Sequence, residues 1–159
     1  MTEQTTEQTV RRAVTVAVPV QRAFTVFTER FTTWWPETHH IAPVDMAEAV
    51  IEPREGGRWY ERGVDGSECD WGRVLAWEPP TRLVLSWHLD GEWKFDPDLA
   101  KASEVEVRFI SEGPATTRVE LEHRHFERHG ATADSLRTSV SADGGWGTIL
   151  EGYAKVAGG

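Results

Sequence analysis

Six histidines, one cysteine and a scatter of carboxylates are the groups in this chain whose chemistry is worth weighing first. His123 and His125 lie two apart in a run of alternating residues, so a strand would turn both to one side, with His129 close by. Such a pair, with Glu127, is the beginning of a divalent metal site, but no fourth ligand has the right spacing and no metal is expected. His123 fits better as a buried polar anchor or proton donor. His39 and His40 follow Trp34-Trp35-Pro36 in a loop, where facing solvent is the plain reading. Cys69 would need an activating base to serve as a nucleophile, and none can be assigned; a small strand residue beside a turn is the better description. Glu29, Glu61, Asp70 and Glu104 cannot be paired as acid and base from spacing alone. No G-x-S-x-G elbow or G-x-x-x-x-G-K loop occurs, and Gly56-Gly57 and Gly144-Gly145 are too poor in pattern for phosphate.

The elements that must position these groups follow from periodicity. Val10 to Val18 alternates and is rich in β-branched residues, which predicts a first strand. Pro19 suits a helix start, and Ala23, Phe24, Phe27 and Phe31 recur at helical spacing, giving one or two short helices that Pro36 ends. A strand is expected from Ala47 to Glu52. Ile51 to Trp87 then reads as a meander, with Gly56-Gly57, Asp65-Gly66 and Pro79-Pro80 as its turns. Within it Trp71, Arg73, Leu75 and Trp77 are expected to share one face. Leu83, Leu85, Trp87 and Leu89 share a face of the next strand, with Arg82, Ser86 and His88 opposite. A polar connection from Gly91 to Lys101 leads to a hairpin of Ser103–Ser111 and Ala115–His123. Its charged residues Arg108, Arg118, Glu120, Glu122 and Arg124 look like a solvated outer face with cross-strand pairs. From Ala131 the period becomes helical. Gly144-Gly145 interrupts it, and Trp146, Ile149, Leu150, Tyr153 and Val156 form a second apolar stripe.

The strings EPREGGRWYER and WGRVLAWEPPTRLVLSW resemble the family of the activator of heat-shock-protein-90 ATPase, within the START-like (SRPBCC, helix-grip) superfamily. Val18-Pro19-Val20, Arg22-Ala23-Phe24, Trp34-Trp35-Pro36, Glu122-His123 and Gly145-Trp146 extend the match over nearly the whole chain. The element order and the resemblance agree on an α+β helix-grip fold. A bent antiparallel sheet would carry a long C-terminal helix across its concave face, with two short helices after the first strand. Residues 1–9 are expected to be a flexible N-terminus and residues 10–159 a single START-like domain.

The resemblance also implies an internal cavity between sheet and helix. Its wall would come from Trp71, Leu85, Trp87, Phe109, Leu121 and His123 on the sheet. The helices would add Phe24, Phe27, Trp146, Leu150 and Tyr153, and the Trp34-Trp35 loop would close one end. Each of these side chains, taken singly, also fits ordinary core packing. The expected function is binding of a small hydrophobic or aromatic ligand, without cofactor and without assumed catalysis. One rival is a cyclase- or hydrolase-type cavity enzyme, with His123 and Tyr153 moving protons. The other is a chaperone-ATPase-activator-like interaction protein, as the family name suggests. A net charge of −9 argues against nucleic acid and anionic membranes as partners. One cysteine suits a reducing compartment, and a cytoplasmic location is expected, with homodimerisation carried as an open expectation.

Overall fold

The computed structural model describes residues 9–36, 39–142 and 145–158. The expected N-terminal tail, apart from Thr9, and the interrupting Gly144 lie outside the described residues. Seven strands form one antiparallel sheet: β1 (Val10–Val16), β2 (Met46–Ile51), β3 (Arg58–Gly63), β4 (Glu68–Glu78), β5 (Arg82–Trp87), β6 (Ser103–Gly113) and β7 (Thr116–Arg124). Their spatial order is β1-β7-β6-β5-β4-β3-β2. Helices α1 (Val20–Glu29) and α2 (Phe31–Trp34) follow β1, while α3 (Ala133–Ser141) and α4 (Trp146–Ala157) come last. The sheet curls into a half-barrel and the C-terminal helices pack across it, which is the helix-grip α+β architecture. The C-terminal helical segment is in two pieces, and α4 makes the main packing against β1 and also packs on α1 and α2. No helix among the described residues is long and apolar enough to cross a membrane.

Local pattern explains most of this. In β7, Thr117, Val119, Leu121 and His123 are buried while the residues between them are half-buried, as an alternating strand over a core requires. α4 buries Trp146, Ile149, Leu150, Tyr153 and Ala157, a stripe at helical spacing. Gly66 turns between β3 and β4 at a φ of 87°, a conformation that disfavours side chains. Gly72 is needed for a different reason: a Cβ there would sit 1.8 Å from the Ser86 carbonyl oxygen of the neighbouring strand.

β4 departs from simple alternation. Trp59 and Tyr60 of β3 pair with Gly72 and Asp70, so Trp71 is an extra residue. Leu85 and Val84 pair with Val74 and Ala76, so Leu75 is a second one. Each bulge shifts the phase of the strand by one residue. Trp71 and Val74 are therefore buried, and Trp77 packs on the core, whereas Arg73 and Leu75 point to the outer face beside His88 and Phe95. The expectation that Trp71, Arg73, Leu75 and Trp77 share one face is corrected accordingly.

The outer face carries two further features. The segment between β5 and β6 folds back over it. His88 stacks on Phe95 with ring centroids 5.4 Å apart, and its Nδ1–H donates to the Asp96 carbonyl at 2.7 Å. Ser86 and His88 are buried under this strap. Nearer β7, the buried Glu106 carboxylate accepts hydrogen bonds from Arg82, Arg108 and Arg124, which belong to three adjacent strands.

Candidate functional site

The grip is not filled evenly along its length. At one end Phe24, Phe27, Trp34, Phe109 and Tyr153 form a continuous aromatic cluster. Ring centroids are 5.1 Å apart for Phe24–Phe109, 5.1 Å for Phe27–Tyr153 and 5.3 Å for Trp34–Tyr153. Tyr153 spends its hydroxyl on the Ala23 carbonyl at 2.7 Å. Burial pushes its phenol well above the ordinary tyrosine range. Leu85, Leu121 and Leu150 are buried in the same core.

At the other end the side chains leave a cavity of about 370 Å³, within the range of roughly 300–1,000 Å³ typical of small-molecule sites. Five of the eight tryptophans line it: Trp35, Trp71, Trp87, Trp93 and Trp146. Ile41, Leu89, Val140 and Ile149 add aliphatic surface, and His39, His40 and Ser139 supply polar atoms. Of the residues expected to form a ligand site, the structure brings Trp71, Trp87 and Trp146 to this cavity. It places Phe24, Phe27, Trp34, Leu85, Phe109, Leu121, Leu150 and Tyr153 in the packed core.

Four of the five indole N–H groups of the wall are tied to the protein rather than left for a ligand. Trp35 donates to the His39 carbonyl at 2.9 Å, Trp87 to the Leu89 carbonyl at 2.8 Å and Trp71 to Glu61 Oε1 at 2.8 Å. Trp146 donates to His123 Nδ1 at 3.0 Å. These bonds fix each ring and turn its apolar face toward the cavity. Trp35 and Trp71 lie 5.2 Å apart, tilted by 39°, and Trp87 and Trp146 lie 5.7 Å apart. Trp93 sits at the rim at a φ of 64°, an unusual conformation for a bulky residue, and is 44% exposed. Behind the wall, Trp59 Nε1 is the one buried side-chain polar atom without a partner among the described residues.

His123 stands behind Trp146 and Trp87 with both ring nitrogens engaged. Its Nδ1 accepts from Trp146, so the neutral ring carries its proton on Nε2 and donates it to Ser103 Oγ at 2.8 Å. Ser103 Oγ in turn lies 2.8 Å from His129 Nε2, which the Ser103 backbone N–H also approaches at 3.3 Å. Burial, and then the neighbouring His129, hold His123 well below the ordinary imidazole range. His125 takes a left-handed conformation just past the end of β7, at a φ of 67°, and leaves the face that His123 occupies. The two histidines therefore do not form the pair that strand alternation would give. Burial, and then Glu61, push the Cys69 thiol up, so it stays protonated near neutral pH.

Two groups were not singled out by spacing. His40, together with His39, lines the cavity rather than simply facing solvent. Glu61 is fully buried, and its carboxyl accepts three hydrogen bonds: from Ile41 N–H at 2.7 Å, Ala42 N–H at 3.2 Å and the Trp71 indole. It ties the loop that carries His40 and Ile41 to the sheet. Glu61→Gln replaces one acceptor oxygen with an amide that must face a donor. It is expected to cost about 1–3 kcal/mol in urea unfolding; an unchanged midpoint would show that the loop is held by other contacts.

A family profile described as "Activator of Hsp90 ATPase homolog 1-like protein" matches residues 17–158. An anthrahydroquino-γ-pyrone synthase, Txn09, is 42% identical with a TM-score of 0.66, covering 93% of this chain and 96% of that one. The self-sacrificing resistance protein CalC from Micromonospora echinospora is 35% identical with a TM-score of 0.67, covering 94% and 93%. Protein NE0264 from Nitrosomonas europaea shares the fold at 18% identity and a TM-score of 0.65, covering 96% and 95%. No curated protein matches the chain.

Proposed function

The chain belongs to the Activator of Hsp90 ATPase homolog 1-like family, and from that premise we propose that its cavity binds a planar, oxygenated polycyclic aromatic. The observation that carries this is the wall of five tryptophans, four of which (Trp35, Trp71, Trp87 and Trp146) already have their indole N–H groups bonded within the protein. Such a wall offers flat π-faces at several tilts, which suit a rigid ring system better than a flexible chain. A rigid ligand also loses little conformational entropy on entering. The 42% identity to a protein named for making an anthrahydroquinone-fused pyrone supports the same ligand class. It also favours a second reading, in which the bound aromatic undergoes ring closure. A chaperone-directed role rests on the family name alone.

Tryptophan fluorescence titrated with 2-hydroxyanthraquinone and, separately, with palmitate tests the proposal. The quinone is expected to quench the indoles and to bind at least about tenfold more tightly than the fatty acid, a difference of about 1.4 kcal/mol. Tighter binding of palmitate, or no quenching by the quinone, would reject the aromatic ligand class.

A further inference from the structure

We propose that His40 is a catalytic base that takes an acidic proton from the aromatic ligand, a role that rests on the aromatic-ligand reading above. His40 lines the cavity and is half-buried, so a ligand can reach the ring while bulk water is partly kept from it. Its Nδ1 lies 2.9 Å from the Ala42 carbonyl oxygen. A carbonyl only accepts, so Nδ1 carries the proton and Nε2 carries the lone pair of the neutral ring. Nε2 has no protein partner among the described residues.

The loop holds this tautomer in place. His39 N–H donates to the Pro36 carbonyl at 2.9 Å, and the His39 carbonyl accepts from the Trp35 indole. Ile41 and Ala42 N–H are both bound by the buried Glu61 carboxyl. The backbone is thus tied on both sides of His40, and the acceptor of its Nδ1–H belongs to one of the tied residues. A base fixed by its surroundings needs no reorganisation at the moment of proton transfer. Glu61 acts through the backbone and is a positioning residue.

The step moves one proton. A phenolic O–H or an activated C–H bond of the ligand breaks, the proton goes to Nε2, and the bonding pair stays on the ligand. The imidazolium can return the proton to the rearranged anion, so nothing is oxidised or reduced.

The probe is 5-nitrobenzisoxazole, a planar aromatic with one acidic C–H. Loss of that proton to a base breaks the ring N–O bond and releases a yellow cyanonitrophenolate. Binding is read separately by tryptophan quenching. Wild-type protein is expected to bind the probe and open it. His40→Gln is expected to bind it comparably and to lose about 100-fold or more in kcat/KM, the usual share of a positioned base. In His40→Ala, added imidazole is expected to restore much of the rate, a rescue that a merely structural role would not produce. Binding without opening in the wild type, or a full rate in His40→Gln, overturns the base assignment and leaves the aromatic-ligand reading standing. Failure of the wild type to bind this probe and 2-hydroxyanthraquinone overturns both.

Discussion

His123→Phe is expected to destabilise the protein by about 2–5 kcal/mol at neutral pH and to flatten its acid sensitivity. The substitution keeps an aromatic ring of similar breadth but leaves the Trp146 indole N–H without its acceptor, and Ser103 Oγ without its donor. Each orphaned buried partner costs about 1–3 kcal/mol. The pH dependence has a separate origin. The unfolded chain binds a proton at this residue below about pH 6.5, while the folded protein keeps His123 neutral to a much lower pH. The stability that this neutral histidine contributes is therefore present above about pH 6.5 and is lost as pH falls toward its folded value. In that window the slope approaches about 1.4 kcal/mol per pH unit for one proton. His129 is also held low, chiefly by burial, and adds to the slope. Urea unfolding of wild type and His123→Phe between pH 5 and pH 8 reads both effects. An unchanged slope in the variant would show that His123 does not take up the proton on unfolding.

Glu106→Gln is expected to cost about 3 kcal/mol at neutral pH. Burial alone would raise this carboxyl, but hydrogen bonds from Arg124, Arg82 and Arg108 outweigh it and hold Glu106 at about 2 against an ordinary 4.5. A shift of that size corresponds to about 3 kcal/mol. Because the folded value is depressed, the contribution is full above about pH 4.5 and disappears as pH falls toward about 2. The amide removes the charge while three guanidinium groups still converge on the position. Wild type and variant should therefore converge in stability near pH 2 and differ most above pH 5. Equal stability at pH 7 would show that solvent already screens the cluster.

The same two residues show how far periodicity reaches. Alternation along Thr117, Val119, Leu121 and His123 placed the histidine on the inward side, and the structure buries all four. It also identified α1 and α4 from their apolar stripes and the turns of the meander from their glycines. Each of these features is decided within a few residues of chain, by side-chain direction and backbone sterics. The match of quoted strings to a family then supplied the helix-grip arrangement of those elements. Glu106 was not distinguished from its charged neighbours, because its burial arises from arginines on β5 and β7 that register brings to it.

Where the grip stays open was decided in three dimensions. Phe24 and Trp87 both carry an inward, aromatic signature, yet one packs against Phe109 and Trp77 while the other borders the cavity. The difference depends on how the curled sheet spaces its ends from the helices, and no local pattern reports that distance. The bulge at Trp71 in β4 aimed that indole inward and Arg73 outward, although the two positions share a parity in the chain. His40 and Glu61 are 21 positions apart by number and looked like a loop histidine and an unpaired acid. Folding sets the Glu61 carboxyl under the backbone of Ile41 and Ala42, and so turns the His40 loop into a wall of the cavity. Period and propensity act over a turn or a strand, whereas a site is made by groups that meet only after the chain has closed on itself.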